Sequence, residues 1–344
     1  MSFTFQKRLQ TFQEFGKQIA ALLETDYFDT VIKQQIIENK WFTEENCRFA
    51  LAALAKMLDK NSCETFYQRY QHYFLKENLS QKIAVISAGN IPCAAFHDFF
   101  CILTSGNQFI GKLSKQDALL LPFLSEILIK IAPEFAENIV FTEKLTKFDK
   151  IIATGSNNSA RYFEYYFKET PMLLRKNRNS IAVLNGNETD EELQKLTIDI
   201  FQYFGLGCRS VSKIYIPESF DLSRLIYFFQ EASKPLLIHN SYVNNYEYHR
   251  AIYAMTQTPF YDGNSFLLLK NHALASPISV IYYEEYKKIS EVLTLIEPHK
   301  NEIQCVVSGD FAIENRIAFG ETQYPALFDY PDKEDIFVFC LNPQ

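Results

Sequence analysis

The chain has 344 residues, 47% of them hydrophobic and 22% charged, which is enough for two medium-sized domains around a large core. Its net charge of −7 is spread along the sequence without a basic stretch that would grip nucleic acid, and no apolar run reaches the roughly 18 residues a membrane-spanning helix needs. The opening MSFTFQKRLQ lacks the features of a secretion signal, and seven cysteines with no CxxC pair fit reduced thiols, so a cytoplasmic protein is expected.

The 31 Phe and 20 Tyr residues are a surplus that predicts an aromatic core, with an apolar ligand tunnel as the other use for them. Phe5, Leu9, Phe12, Phe15, Ile19 and Leu22 recur at steps of three and four, so the chain opens with an amphipathic helix. Further helices are expected at 28–39, 43–58 and 63–77, as a packing layer. From Lys82 the pattern changes to short β-branched runs separated by helices. KIAVIS reads as a strand, AGNIP as a turn, and 94–104 as a helix. NQFIGKLS, a helix at 116–131, IVFTEK, KIIATGS and a helix at 158–167 follow. Buried apolar strands alternating with helices predict a parallel, doubly wound sheet.

A second series starts at SIAVLNG. It continues through a helix at 191–204, SKIYIP, a helix at 222–232, and the runs FLLLK, ISVIYY, IQCVVSG and DIFVFCL, read as strands. The polar, basic RKNRN at 175–179 marks the boundary. This divides the chain into a domain of residues 1–177, carrying the N-terminal helices, and a domain of residues 178–344. No repeat or low-complexity segment is present.

The most informative segment is DIFQYFGLGCRSVSKIYIP, residues 199–217. Gly205 and Gly207 flank Leu206 just before Cys208, which places the cysteine in a tight turn between a helix and a strand. Arg209 adds a positive charge that would favour the thiolate, a strong nucleophile that forms thioesters with acyl groups. The other six cysteines, Cys47, Cys63, Cys93, Cys101, Cys305 and Cys340, fall in helical or strand patterns and read as small buried hydrophobes. The six histidines show no metal-ligand spacing, so no metal is expected. His97 reads as a packing residue rather than a base.

YFGLGCRSVSKIYIP resembles the nucleophile segment of the long-chain acyl-CoA reductases, the fatty-acid reductase component of bacterial bioluminescence systems, within the aldehyde dehydrogenase superfamily. The resemblance runs from about Lys82 to the C-terminus and includes SAGNIP, GKLSKQD, ATGS, NSIAVLNGNET and FGETQYPALFDYPD. It implies an aldehyde-dehydrogenase-like α/β fold of two doubly wound domains, the first binding the cofactor and the second carrying Cys208. It implies that Asn90 in SAGNIP holds the oxyanion of the tetrahedral intermediate. It implies that Lys112 in GKLS binds the cofactor's adenosine ribose, with Ser114 and Lys115 in the same segment. Lys115 falls where NAD-preferring members often carry a glutamate; a cation there attracts a 2′-phosphate, which tilts the expectation to NADPH, with NADH possible. Gly155 and Ser156 match the superfamily's strand-to-helix turn at the cofactor pyrophosphate. The ordinary GxGxxG fingerprint is absent, as this mode of binding allows.

One departure bears on the reaction. Hydrolytic aldehyde dehydrogenases carry a water-activating glutamate at a spacing that lands here on Leu174, and no carboxylate lies between Pro171 and Gly186. A reductase that passes through a thioester needs that thioester kept from water. The resemblance therefore implies reduction of an acyl-CoA to the aldehyde through an acyl group on Cys208, in a homo-oligomer, with acyltransferase or synthetase partners possible. A cysteine acyltransferase or thioesterase, an acyl-phosphate reductase of the semialdehyde type, and a non-catalytic acyl-CoA-binding paralogue are the alternatives.

Overall fold

In the computed structural model, which describes residues 3–74 and 80–341, three of the first four helices open on a side-chain cap. Thr4 caps α1 (Phe5–Leu23), Thr43 caps α3 (Glu44–Met57) and Asp59 caps α4 (Lys60–Tyr70), while α2 (Asp29–Glu38) has none. Each cap oxygen accepts an amide that the first helical turn would leave unsatisfied. Residues 75–77 of the expected fourth helix lie outside the described residues.

The chain divides into two compact units. The first runs to Asn177 and takes in the segment from Tyr324 onward; the second is Arg178–Gln323. In the first unit, β1 (Lys82–Ile86), α5 (Phe96–Ser105), β2 (Gln108–Lys112), α6 (Leu120–Ile131), β3 (Ile139–Phe141), β4 (Lys150–Thr154), α7 (Asn157–Tyr166) and β5 (Met172–Arg175) follow the four helices. The strands form a parallel sheet in the order β3-β2-β1-β4-β5. Alternation along the strands feeds both faces. Ile83, Val85, Phe109 and Ile152 point into the main core; Ala84, Ile151 and Ala153 pack against Phe163 and Phe167 beside α7.

That main core absorbs much of the aromatic surplus. Phe12, Phe15, Phe66, Phe99, Phe100 and Phe109 are fully buried and meet edge to face, as in the Phe12–Phe100 and Phe66–Phe100 pairs. The stripe expected on the first helix is the face that enters it.

The second unit contains β6 (Asn179–Val183), α8 (Asp190–Phe201), β7 (Val211–Pro217), α9 (Leu222–Ser233), α10 (Asn240–Met255), β8 (Tyr261–Asp262), β9 (Leu267–Lys270), β10 (Val280–Tyr286), α11 (Ile289–Ile296) and β11 (Ile303–Val307). Its sheet runs β11-β6-β7-β10-β9-β8, parallel except for the short edge strand β8. Ala182, Ile214, Ile216 and Leu268 pack with residues of α8 and α9. Ile181, Val183 and Tyr215 pack with Val292 of α11.

Two expectations are corrected at the C-terminus. DIFVFCL is not a strand; residues Ile336–Leu341 form α12, opened by Asp335, whose carboxylate accepts the Val338 amide at 2.9 Å. Nor does the second domain run to residue 344, because this segment belongs to the first unit. Phe337 inserts among Phe5, Phe66 and Tyr70, and the Tyr70 hydroxyl meets Tyr330 at 2.7 Å and Asp335 at 2.6 Å. The last turn of α12 is held by Asn107 on the Cys340 carbonyl and Lys150 on the Phe339 carbonyl, at 2.9 and 2.7 Å. A strand pattern and one apolar helical turn look alike over seven residues; tertiary anchors decide between them.

Candidate active site

In the first unit, the chain leaves β1 toward β2 and β3 on one side and returns to β4 on the other, so the strand order reverses between β1 and β4. In open parallel sheets, ligands settle outside the carboxyl ends of the strands at such a reversal. The loops after β2, β1 and β4 stand side by side there. They carry Lys112, Ser114 and Lys115; Asn90; and Gly155 and Ser156 respectively. Asn90, Lys112, Ser114, Lys115, Gly155 and Ser156 thus lie at or just beyond the carboxyl ends of three neighbouring strands of one sheet.

Each loop is locally built. Gly89 is buried, and its carbonyl accepts the Asn39 amide at 3.0 Å. A Cβ at Gly89 would lie 2.5 Å from Ser114 Oγ, so the loops after β1 and β2 touch through the missing side chain. Asn90 follows and is exposed. The next turn is pinned from below by Asp117, whose carboxylate accepts the amides of Cys93 and Ala94. Lys112 and Lys115 are both exposed, and Ser114 caps the short helical turn that starts at Lys115. The helix expected from residue 116 begins at Leu120, after this turn.

After β4, the Gly155 amide donates to the Arg175 carbonyl at 3.1 Å and Ser156 caps α7, accepting the Ser159 amide at 3.2 Å. A Cβ on Gly155 would come within 2.9 Å of Phe163 and Ser159, so only glycine lets this turn close onto its helix. Amides at a helix start, with the positive end of its dipole, favour an anion.

Leu174, which stands at the spacing of a water-activating carboxylate, is on β5. Its neighbour Arg175 is buried and bound bidentately to Asp98, at 2.5 and 2.8 Å. His97 is committed elsewhere: its Nε2 is 3.1 Å from the Leu327 carbonyl and its ring meets Tyr330 edge on.

In the second unit, the expected helix through Phe204 ends at Phe201. Tyr203 and Phe204 take left-handed backbone angles, with φ of 54° and 59°, and Gly205 continues at 75°. Two bulky residues in that region are unusual and mark a forced reversal of the chain. Gly207 then accepts the Ser210 amide at 2.9 Å, closing a turn whose two central residues are Cys208 and Arg209. Cys208 is exposed, whereas the other six cysteines are buried.

The turn is tied to its surroundings at three points, none visible in the sequence. The buried Ser180 hydroxyl donates to the Cys208 carbonyl at 2.9 Å. Arg209 Nε donates to the Thr322 carbonyl at 2.5 Å, and Gln323 reaches Ser210 at 3.4 Å. Thr322 is itself held by the buried Asp199, whose carboxylate accepts the amides of Gly320 and Thr322 and the Thr322 hydroxyl at 2.7–3.0 Å. Burial pushes the Asp199 carboxyl up, and these donors oppose the shift. The Arg209 guanidinium is thus fixed by a backbone carbonyl; a buried serine and aspartate that organise such a turn could have been found only from the tertiary structure.

No protein-family model and no curated protein sequence matches the chain. Solved structures do. An NAD-dependent aldehyde dehydrogenase from Sinorhizobium meliloti aligns over 93% of this chain and 72% of its own, at a TM-score of 0.65 and 11% identity. Aldehyde dehydrogenase C from Pseudomonas syringae, a mutant in complex with NAD+ and octanal, aligns over 90% of this chain and 73% of its own, at 0.63 and 9% identity. An NADP-dependent enzyme from E. coli aligns over 90% and 74%, at 0.64 and 13% identity. The chain therefore has an aldehyde-dehydrogenase-like α/β fold, shared with nicotinamide-dependent enzymes at low sequence identity.

Proposed function

We propose that this chain reduces an acyl thioester, a fatty acyl-CoA, to the aldehyde by way of an acyl group carried on Cys208. The observation that carries the reading is the exposure of Cys208 alone among seven cysteines, on a turn closed by hydrogen bonds, in an aldehyde-dehydrogenase-like fold. Its thiolate attacks the acyl carbonyl carbon, the carbon–sulfur bond of the thioester breaks, and coenzyme A leaves as a thiolate. The oxyanion formed on the way takes hydrogen bonds from the Cys208 amide and, by the resemblance of SAGNIP, from the Asn90 side chain.

The first unit suits a nicotinamide cofactor. The Ser156-capped start of α7 offers amides to a pyrophosphate, and the exposed Lys112 and Lys115 stand with half-buried Ser114 at the same sheet edge. When bound, the cofactor supplies the hydride that turns the acyl group on Cys208 into the aldehyde. Lys115 favours the 2′-phosphate of NADPH. The absence of a carboxylate from 171 to 186 keeps the acyl-enzyme from base-assisted hydrolysis and favours reduction over aldehyde oxidation. Assembly as a homo-oligomer and delivery of the acyl group by an acyltransferase or synthetase partner belong to the same reading.

Intact-mass measurement after incubation with a panel of acyl-CoAs tests it. An acyl increment on Cys208 is expected, discharged as aldehyde when NADPH is added. Aldehyde output that survives Cys208→Ala overturns the reading.

A further inference from the structure

The ladders on both sides of Ser180 are irregular. Between β6 and β7, Ser180 faces Val211 and Ile181 already faces Lys213, so one residue of β7 is passed over next to the Cys208 turn. Between β6 and β11 the register shifts again in the stretch from Ile303 to Val306, which contains Cys305. Ser180 occupies the position common to both irregularities. Its side chain is completely buried; its hydroxyl donates to the Cys208 carbonyl at 2.9 Å while accepting the Cys305 amide at 3.1 Å.

One hydroxyl therefore joins three neighbouring segments at the point where regular pairing gives way, and the segment it holds on one side is the one that presents the thiol. The Gly207–Ser210 hydrogen bond closes the turn across its ends, around the plane of the Cys208–Arg209 peptide. A donor on the Cys208 carbonyl fixes that plane. The bond also ties the carbonyl end of Cys208 to buried β6, which anchors the Cα from which both the thiol side chain and the residue's own amide extend. A buried serine between two strands has only a small packing role, since its side chain is one carbon and one oxygen. The polar function is what distinguishes it from alanine here.

We propose that Ser180 is a positioning residue for the nucleophile: its hydroxyl, braced by the Cys305 amide, holds the Cys208 peptide so that thiol and amide face the same incoming carbonyl. This rests on the reading of Cys208 as the nucleophile, but not on the identity of the acyl donor.

The experiment compares the parent with Ser180→Ala and Ser180→Thr, the second keeping a hydroxyl. Cys208 alkylation by iodoacetamide is followed peptide by peptide from pH 6 to 10, alongside far-UV circular dichroism and acyl-CoA kinetics. In folded Ser180→Ala, the Cys208 alkylation rate or its pH midpoint is expected to change, the rate by about tenfold or more. kcat should fall with KM near that of the parent, and Ser180→Thr should recover part of the loss. Alkylation of Cys208 with the parent's rate and pH profile in Ser180→Ala overturns the assignment. So does a Ser180→Ala chain that no longer folds, since the hydroxyl then serves the sheet as a whole. A parent whose Cys208 alkylates rapidly yet takes no acyl group from any thioester argues against the reductase reading and leaves the positioning test standing.

Discussion

The carboxylate of Asp117 lies directly beneath Cys93, accepting its amide at 3.1 Å and the following amide of Ala94 at 2.9 Å. Cys93 has a left-handed φ of 59°, so this carboxylate holds a turn that the chain would not adopt readily, three residues beyond Asn90. Burial pushes the Asp117 carboxyl up to about 7, and the two amides only partly oppose the shift. The folded protein therefore holds a proton that the unfolded chain releases nearer pH 4, and stability falls as pH rises through that window. At about 1.4 kcal/mol per tenfold change in acidity, the loss between pH 4 and 7 is on the order of 4 kcal/mol. Asp117→Asn should flatten this slope, keeping one acceptor oxygen for the amides. Urea midpoints at pH 5 and pH 7.5 measure it; equal slopes in parent and variant would refute the assignment.

Cysteine chemistry gives a second outcome. Burial pushes the Cys47 and Cys63 thiols up to about 12 and raises Cys93, Cys101 and Cys340 well above their ordinary range. Native protein treated briefly with iodoacetamide at pH 8 should gain one adduct, on Cys208, and Cys208→Ala should gain none. Peptide mapping that finds a buried cysteine labelled as fast would remove the argument from exposure.

What is legible in the sequence, and what is hidden, follows from how local each signal is. The turns at SAGNIP, ATGS and FGLGC announce themselves because glycine, proline and a capping serine have local conformational causes. The sixteen-residue α10 leaves no such mark: only Tyr242 and Tyr246 of it are buried, so no apolar stripe betrays it. The four-residue β5 goes unread, because MLLR is too short to show a strand's alternation and its last residue, Arg175, already opens the polar RKNRN boundary. Ser180, Asp199 and Thr322 act on the Cys208 turn across 28 residues or more of sequence or through a further loop, and nothing in their neighbours along the chain signals it.

The buried pair of Arg175 and Asp98 supplies a stability prediction. Both side chains are almost fully enclosed, and the contact joins the end of β5 to the first turn of α5. Removing one partner leaves a charge with no water to take its place, at a typical cost of about 3–5 kcal/mol. Asp98→Ala should therefore lower the melting temperature steeply, while the isosteric Asp98→Asn, which keeps an acceptor, should lower it less. Thermal unfolding that ranks the two the other way would show that packing rather than charge dominates here.

On the proposed reading, cofactor choice turns on Lys115. It is exposed at the carboxyl edge of the first sheet, three residues beyond Lys112, so a substitution there alters charge with little effect on packing. Lys115→Glu should weaken NADPH binding by about tenfold or more and leave NADH binding within about twofold, since a carboxylate repels a 2′-phosphate and tolerates a hydroxyl. Titration calorimetry with both nucleotides measures the ratio; an unchanged ratio would remove Lys115 from the cofactor site.

The contact between Gly89 and Ser114 makes a tight local demand at the candidate cofactor edge. A methyl group at Gly89 would sit 2.5 Å from Ser114 Oγ, 2.7 Å from its Cβ and 3.0 Å from Gln116 Cβ, all closer than ordinary contact allows. The Asn39 side chain holds the Gly89 carbonyl at 3.0 Å, so moving the loop would also cost this buried hydrogen bond. Gly89→Ala should force the loops after β1 and β2 apart at a cost of about 1–3 kcal/mol, typical of overpacking. Ser114→Gly removes two of the three opposing atoms, so adding it to Gly89→Ala should return part of the lost stability. A double-mutant cycle read from urea midpoints isolates that coupling. Additive losses would mean that the two loops relax independently and that Asn90 does not depend on Ser114 for its place.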